Sequence, residues 1–71
     1  MDKIDFAANF QKMFNAIGKT QSQVGQEVGV TQAVISAYML GKAIPSLFTF
    51  KRLCQALECD YEDLLGKLDE G

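Results

Sequence analysis

The sequence predicts an all-α fold, a compact bundle of five helices in one domain spanning residues 4–68. Apolar residues recur at spacings of three and four, glycines stand mostly where these patterns stop, and proline occurs once. Such spacing puts apolar side chains on one face of a helix, where they can pack together. With 71 residues, 48% of them hydrophobic, the chain is near the lower size limit for one core without disulfides or metals.

The first helix is predicted from Ile4 to Ile17, with Gly18 ending it. Its buried face is predicted to hold Phe10, Met13, Phe14 and Ile17. The second helix follows Thr20, whose spacing to Gln23 fits a capping box. Its buried face is predicted to hold Val24 and Val28.

Gly29 stands where the second helix must stop, and Thr31 can cap a third helix over residues 32–40, closed by Gly41. The buried face of that helix is predicted to hold Ile35, Tyr38 and Met39. Two short helices joined by a tight turn that contains glycine make a helix-turn-helix. That motif places polar side chains such as Gln21 and Gln32 where they can meet a nucleic-acid backbone and base edges.

The fourth helix is predicted to open at Pro45 or Ser46 and to end at Leu57. Its buried face is predicted to hold Leu47, Phe50, Leu53, Cys54 and Leu57, with Phe48 projecting outward. Asp60 can then cap a last helix from Tyr61 to about Leu68. The inward-facing residues of that helix are predicted to be Leu64 and Leu65.

Charge is divided unevenly along the chain, whose net charge is −2. Residues 10–57 hold five basic residues against one acidic residue, whereas residues 58–71 carry a net charge of −5. Charges farther apart than about 10 Å are largely screened at ordinary salt, so the basic region remains compatible with DNA. Its net charge of +4 is modest, and we expect binding to depend on base contacts or on a dimer.

Composition argues against other classes of protein. With no histidine and two cysteines, Cys54 and Cys59, the chain lacks ligands for a structural zinc site, and no cofactor is expected. It has no glycine-rich phosphate loop and no basic partner for Cys54, so an enzyme is not expected. The apolar runs are too short to span a membrane, and the first ten residues carry acids where a signal peptide carries bases. A cytoplasmic protein with free thiols is expected.

Several short motifs, taken together, resemble the helix-turn-helix domains of the phage lambda repressor and Cro type. They are Thr20-Gln21, Val24-Gly25, Val28-Gly29-Val30-Thr31-Gln32, Ile35-Ser36, Gly41-Lys42, Pro45-Ser46-Leu47 and Leu64-Leu65. The resemblance implies a five-helix bundle whose third helix reads the major groove of an operator, usually as a homodimer. It implies that Gln21 holds a phosphate and braces Gln32, which reads a base edge. The DNA-binding residues predicted in this way are Gln21, Ser22, Thr31, Gln32, Ala33, Ser36, Ala37 and Lys42.

The chemistry of these side chains supports that assignment independently. The amide of Gln32 presents a donor beside an acceptor, matching adenine N6 and N7 in the major groove. Ala33 and Ala37 are small enough for the helix to approach closely, and their methyl groups suit contact with thymine.

The chain departs from the family pattern in two respects. Many members pair an arginine in the first helix with a glutamate late in the third, where this sequence has Phe14 and Met39. We expect an apolar contact to replace that ion pair. The third helix also lacks the arginine that commonly grips guanine, which favours weaker binding.

The outward-facing Phe48 indicates a surface that binds a partner, and the simplest such partner is a second copy of this chain in a homodimer. The candidate dimer-interface residues are Phe48, Tyr61 and Leu68. An alternative function is a protein-interaction module of the same fold, of the antitoxin or repressor-antagonist type, which the acidic C-terminal region favours. The main prediction is a sequence-specific transcriptional regulator, most simply a repressor, that binds double-stranded DNA.

Overall fold

The computed structural model describes residues 6–66, which form five helices and no strand. The helices are α1 Phe6–Ile17, α2 Gln21–Val28, α3 Gln32–Met39, α4 Leu47–Leu57 and α5 Tyr61–Leu65. The predicted all-α class and the five helices are confirmed. Ile4 and Leu68, which bounded the predicted domain, lie outside the described residues, so the candidate role of Leu68 at a dimer interface stays a prediction.

The predicted caps of the two central helices form. The Thr20 hydroxyl accepts a hydrogen bond from Gln23 N at 3.0 Å, and Gln23 Oε1 accepts one from Thr20 N at 2.9 Å. Gly29 has φ 90°, a left-handed conformation that favours glycine, and its N–H bonds the Gly25 carbonyl. Thr31 Oγ1 accepts a hydrogen bond from Val34 N at 3.2 Å and so opens α3. Local sequence chemistry therefore fixes where both helices begin.

One fully buried side chain from each helix meets in the centre of the bundle. These residues are Phe10, Val24, Ile35, Leu53 and Leu64, each with 0% exposure. Aromatic rings close one side of this core, with Phe6 stacked on Phe10 and Tyr38 edge-on to both. In this packing α3 lies against α1 and α2, whereas α5 lies against α1 and α4.

Two expectations about α4 and α5 are wrong. Leu47 is 77% exposed, although its spacing to Phe50 predicted burial. It is the first residue of α4 and lies at the rim of an open groove, beyond the helices that cover Phe50. The last helix ends at Leu65 and not near Leu68, because Gly66 (φ 82°) leaves the helical conformation.

Phe14 and Met39 are both partly buried and packed against the core. A direct contact between them, in place of the ion pair common in the family, stays a prediction. Among the helices of residues 6–66, none is long and apolar enough to cross a membrane.

Candidate nucleic-acid interface

The turn between α2 and α3 is built on a close backbone approach at Gly25. The Gly25 carbonyl accepts hydrogen bonds from Gly29 N at 2.7 Å and from Val30 N at 2.9 Å. A Cβ atom on Gly25 would lie 2.8 Å from the Val30 carbonyl oxygen, which is closer than real Cβ contacts allow. Any side chain at position 25 would therefore force the turn between the two helices to shift.

The predicted DNA-binding residues lie on α3, at the start of α2 and just beyond the end of α3. We call this set the reading face: Gln21, Ser22, Thr31, Gln32, Ala33, Ser36, Ala37 and Lys42. Its exposed members are Ser22, Thr31, Gln32, Ala33 and Lys42, and its half-buried members are Gln21, Ser36 and Ala37. The first turn of α3 therefore projects from the bundle and is open to a duplex, although contact of these residues with DNA stays a prediction.

Hydrogen bonds join the polar side chains of α2 and α3. Gln32 Nε2 donates to Gln21 Oε1 at 3.4 Å, and Ser22 Oγ donates to Gln32 Oε1 at 3.3 Å. Each amide atom of Gln32 thus has one protein partner and keeps one further N–H or lone pair for another group. The two bonds orient the Gln32 amide at the surface, and its contact with a base edge stays a prediction.

The basic residues divide between internal and outward roles. Lys19 Nζ bonds Glu27 Oε1 at 2.8 Å and the Ala56 carbonyl at 2.9 Å, joining α2 to α4. Arg52 donates to the Val28 carbonyl at 3.3 Å, at the C-terminal end of α2. Lys42 is exposed just beyond α3, and its contact with a phosphate stays a prediction. The reading face is therefore richer in amides and small side chains than in charge.

A second surface lies where α4 begins and α5 packs beside it. We call it the apolar end, defined by Leu47, Phe48 and Tyr61, which are 77%, 82% and 48% exposed. The Tyr61 ring packs on Phe50 with a centroid distance of 5.5 Å. A groove of about 370 Å³ is lined by Pro45, Leu47, Phe50, Tyr61 and Leu65. Of the predicted dimer-interface residues, Tyr61 lines this groove and Phe48 lies exposed in the first turn of α4.

The two cysteines are free, as predicted, and lie where α4 meets the turn to α5. Burial, with smaller contributions from Cys54, Asp60 and Asp63, raises the pKa of Cys59 to about 12. Burial also raises the pKa of Cys54. Both thiols are therefore protonated at neutral pH and poor nucleophiles. Within residues 6–66, no cluster of three or more histidine, cysteine or acidic side chains could hold a metal ion.

Sequence reasoning missed two residues that hold the reading face in place. The Gln21 amide donates to Met39 Sδ at 3.2 Å, and Gln11 Nε2 of α1 donates to the Met39 carbonyl at 2.6 Å. The signal in the sequence that could have revealed this role was Met39 itself, because many similar domains have glutamate at that position. Spacing alone could not reveal it, because the partners lie 18 and 28 residues away along the chain.

These features define a small all-α domain with an exposed helix-turn-helix. The family model described as Helix-turn-helix matches residues 11–64, and the chain belongs to this family of Cro/CI-type domains. Membership in this family indicates that residues 11–64 form a DNA-binding domain of the kind found in transcriptional regulators.

Two curated relatives agree with this membership. The cryptic phage CTXphi transcriptional repressor RstR of Vibrio cholerae serotype O1 is 31% identical over 52 residues, which are 73% of this chain and 46% of the relative. The uncharacterized HTH-type transcriptional regulator YgzD of Bacillus subtilis is 34% identical over 53 residues, 75% of this chain and 80% of the relative. The chain thus spans under half the length of the first relative and most of the second. No solved structure matches the chain significantly.

Proposed function

We propose that this chain is a transcriptional repressor that binds a specific double-stranded DNA operator by inserting α3 into the major groove. The observation that carries the proposal is the exposed Gln32 amide, held by Gln21 and Ser22 at the projecting end of α3. A fixed amide loses less side-chain freedom on binding, which raises affinity. It also presents its donor and acceptor in one order, which only the matching base edge can satisfy. The similarity to RstR, named a transcriptional repressor, supports repression.

The same proposal includes a homodimer joined through the apolar end. A two-fold dimer presents the same patch from both chains. The exposed Phe48 and the open apolar groove lined by Leu47 and Tyr61 suit such a contact. The apolar end lies on α4 and α5, whereas α3 lies against α1 and α2. The arrangement would leave both reading faces free to enter successive major grooves.

A protein-interaction module is the second candidate, and the exposed apolar end favours it. Such a module would use Leu47, Phe48 and Tyr61 on another polypeptide and would show no preference among DNA sequences. The two functions differ in whether Gln32 matters for DNA.

Selection of bound duplexes from a random pool tests the proposal. The wild type should enrich one short motif, and Gln32→Ala should lose preference at one base of each half-site, about tenfold or more. Gln26→Ala, an exposed glutamine of α2 outside the reading face, is the matched control and should retain the motif. Binding of the selected duplex should weaken with salt in proportion to a few phosphate contacts. If the wild type enriches no motif, the proposed repressor function is overturned and the protein-interaction module remains.

A further inference from the structure

The side chain of Met39 ends a chain of hydrogen bonds that begins at the exposed Gln32 amide. Ser22 Oγ donates to Gln32 Oε1, Gln32 Nε2 donates to Gln21 Oε1, and Gln21 Nε2 donates to Met39 Sδ at 3.2 Å. Met39 is the last residue of α3, and Gln11 of α1 donates to its carbonyl at 2.6 Å. The sulfur is therefore presented from a backbone position held between two helices.

A thioether sulfur can accept a hydrogen bond but cannot donate one. The Gln21 amide must therefore turn its NH₂ group toward Met39 and its oxygen toward Gln32. The oxygen of Gln21 in turn requires the NH₂ group of Gln32. The Met39 sulfur, the acceptor at the end of this series of hydrogen bonds, therefore determines the orientation of both amides.

The orientation of the Gln32 amide decides what it offers to DNA. Adenine presents the N6 donor beside the N7 acceptor, so a glutamine binds both atoms only when its oxygen and NH₂ group face them in the right order. An amide that flips freely presents either order and discriminates less. We propose that Met39 is a positioning residue that fixes the donor–acceptor order of the Gln32 amide and thereby sharpens base selection; this inference rests on the proposed function.

Met39→Leu tests the inference, because leucine nearly preserves the volume and removes the acceptor. Met13→Leu is the matched control, since Met13 is also partly buried against the core. In Met39→Leu, the side-chain amide NMR signals of Gln21 and Gln32 in the free protein should move. Discrimination at the base that Gln32→Ala ceases to read should fall at least threefold, while affinity for unrelated duplex DNA stays within twofold. Met13→Leu should leave both measurements unchanged.

The outcomes separate this inference from the function on which it rests. If Met39→Leu retains the wild-type discrimination while Gln32→Ala loses it, Met39 only fills space and the inference is overturned, whatever the amide signals do. Unchanged amide signals in Met39→Leu would also overturn it, because the thioether would then not orient Gln21. A wild type that prefers no sequence would overturn the proposed function itself.

Discussion

The reading face and the apolar end are two surfaces of one small bundle that differ in their chemistry. On the reading face the polar side chains of Ser22, Gln21 and Gln32 bond one another, so the surface is ordered and still able to bind water or a base. At the apolar end Leu47 and Phe48 expose most of their hydrophobic surface to water. Burying such surface is favourable, at roughly 25 cal/mol per Å². The reading face is therefore suited to a polar, specific ligand, whereas the apolar end is suited to an apolar partner.

Truncating one leucine in the core and one at the apolar end should give the largest difference in folding stability. Leu53→Ala removes a side chain with 0% exposure and should lower the free energy of unfolding by about 3 kcal/mol. Leu47→Ala, on the same helix but 77% exposed, should change it by less than about 0.5 kcal/mol. Urea denaturation of dilute protein measures both. Equal losses for the two variants would mean that Leu47 packs in the core.

Adding a methyl group at Gly25 should destabilise the turn between α2 and α3. The new Cβ would lie 2.8 Å from the Val30 carbonyl oxygen, so the turn between α2 and α3 must shift. Gly25→Ala should cost about 2 kcal/mol of unfolding free energy despite the better helix propensity of alanine. Gln26→Ala, at the exposed neighbouring position, should cost nothing. A Gly25→Ala variant as stable as the wild type would show that the turn is not held as tightly as the distances indicate.

A charge at Phe48 should act on association and not on folding. Phe48→Glu should weaken self-association at least tenfold in sedimentation experiments, because a carboxylate would have to be buried in an apolar contact. Gln55→Glu adds the same charge at another exposed position of α4 and should leave association unchanged. A parent protein that stays monomeric at every concentration would remove the homodimer from the proposal.

The last expected effect, at Cys59, is confined to alkaline pH. Burial raises the pKa of the Cys59 thiol from its ordinary value of 9.0 to about 12 in the folded protein, so its contribution to stability is complete below pH 9.0. As pH rises toward the folded pKa, ionisation favours the unfolded chain and that contribution is lost. In Cys59→Ala the urea midpoint should therefore fall less steeply above pH 9.0 than in the wild type. Gln55→Ala is the control and should show the same fall as the wild type. A decline equally steep in both variants would contradict the assigned pKa.

The sequence predicted the helix boundaries near the reading face because local chemistry sets them. Thr20, Thr31 and Gly29 act on backbone groups within a few residues, and one buried side chain from each helix follows the apolar spacing. The exposure of Leu47 could not be predicted in this way, since spacing gives a face of the helix and not what covers it. The bond from Gln21 to Met39 joins different helices and depends on how they pack.

Backbone NMR of ¹⁵N-labelled protein titrated with short duplex DNA tests the central claim most directly, because each surface reports separately. The account predicts that amide signals of the reading face move, above all from Thr31 to Ala37 and at Ser22 and Lys42, while those of Leu47, Phe48 and Tyr61 stay in place. Signals that move at the apolar end and stay fixed along α3 would contradict the account.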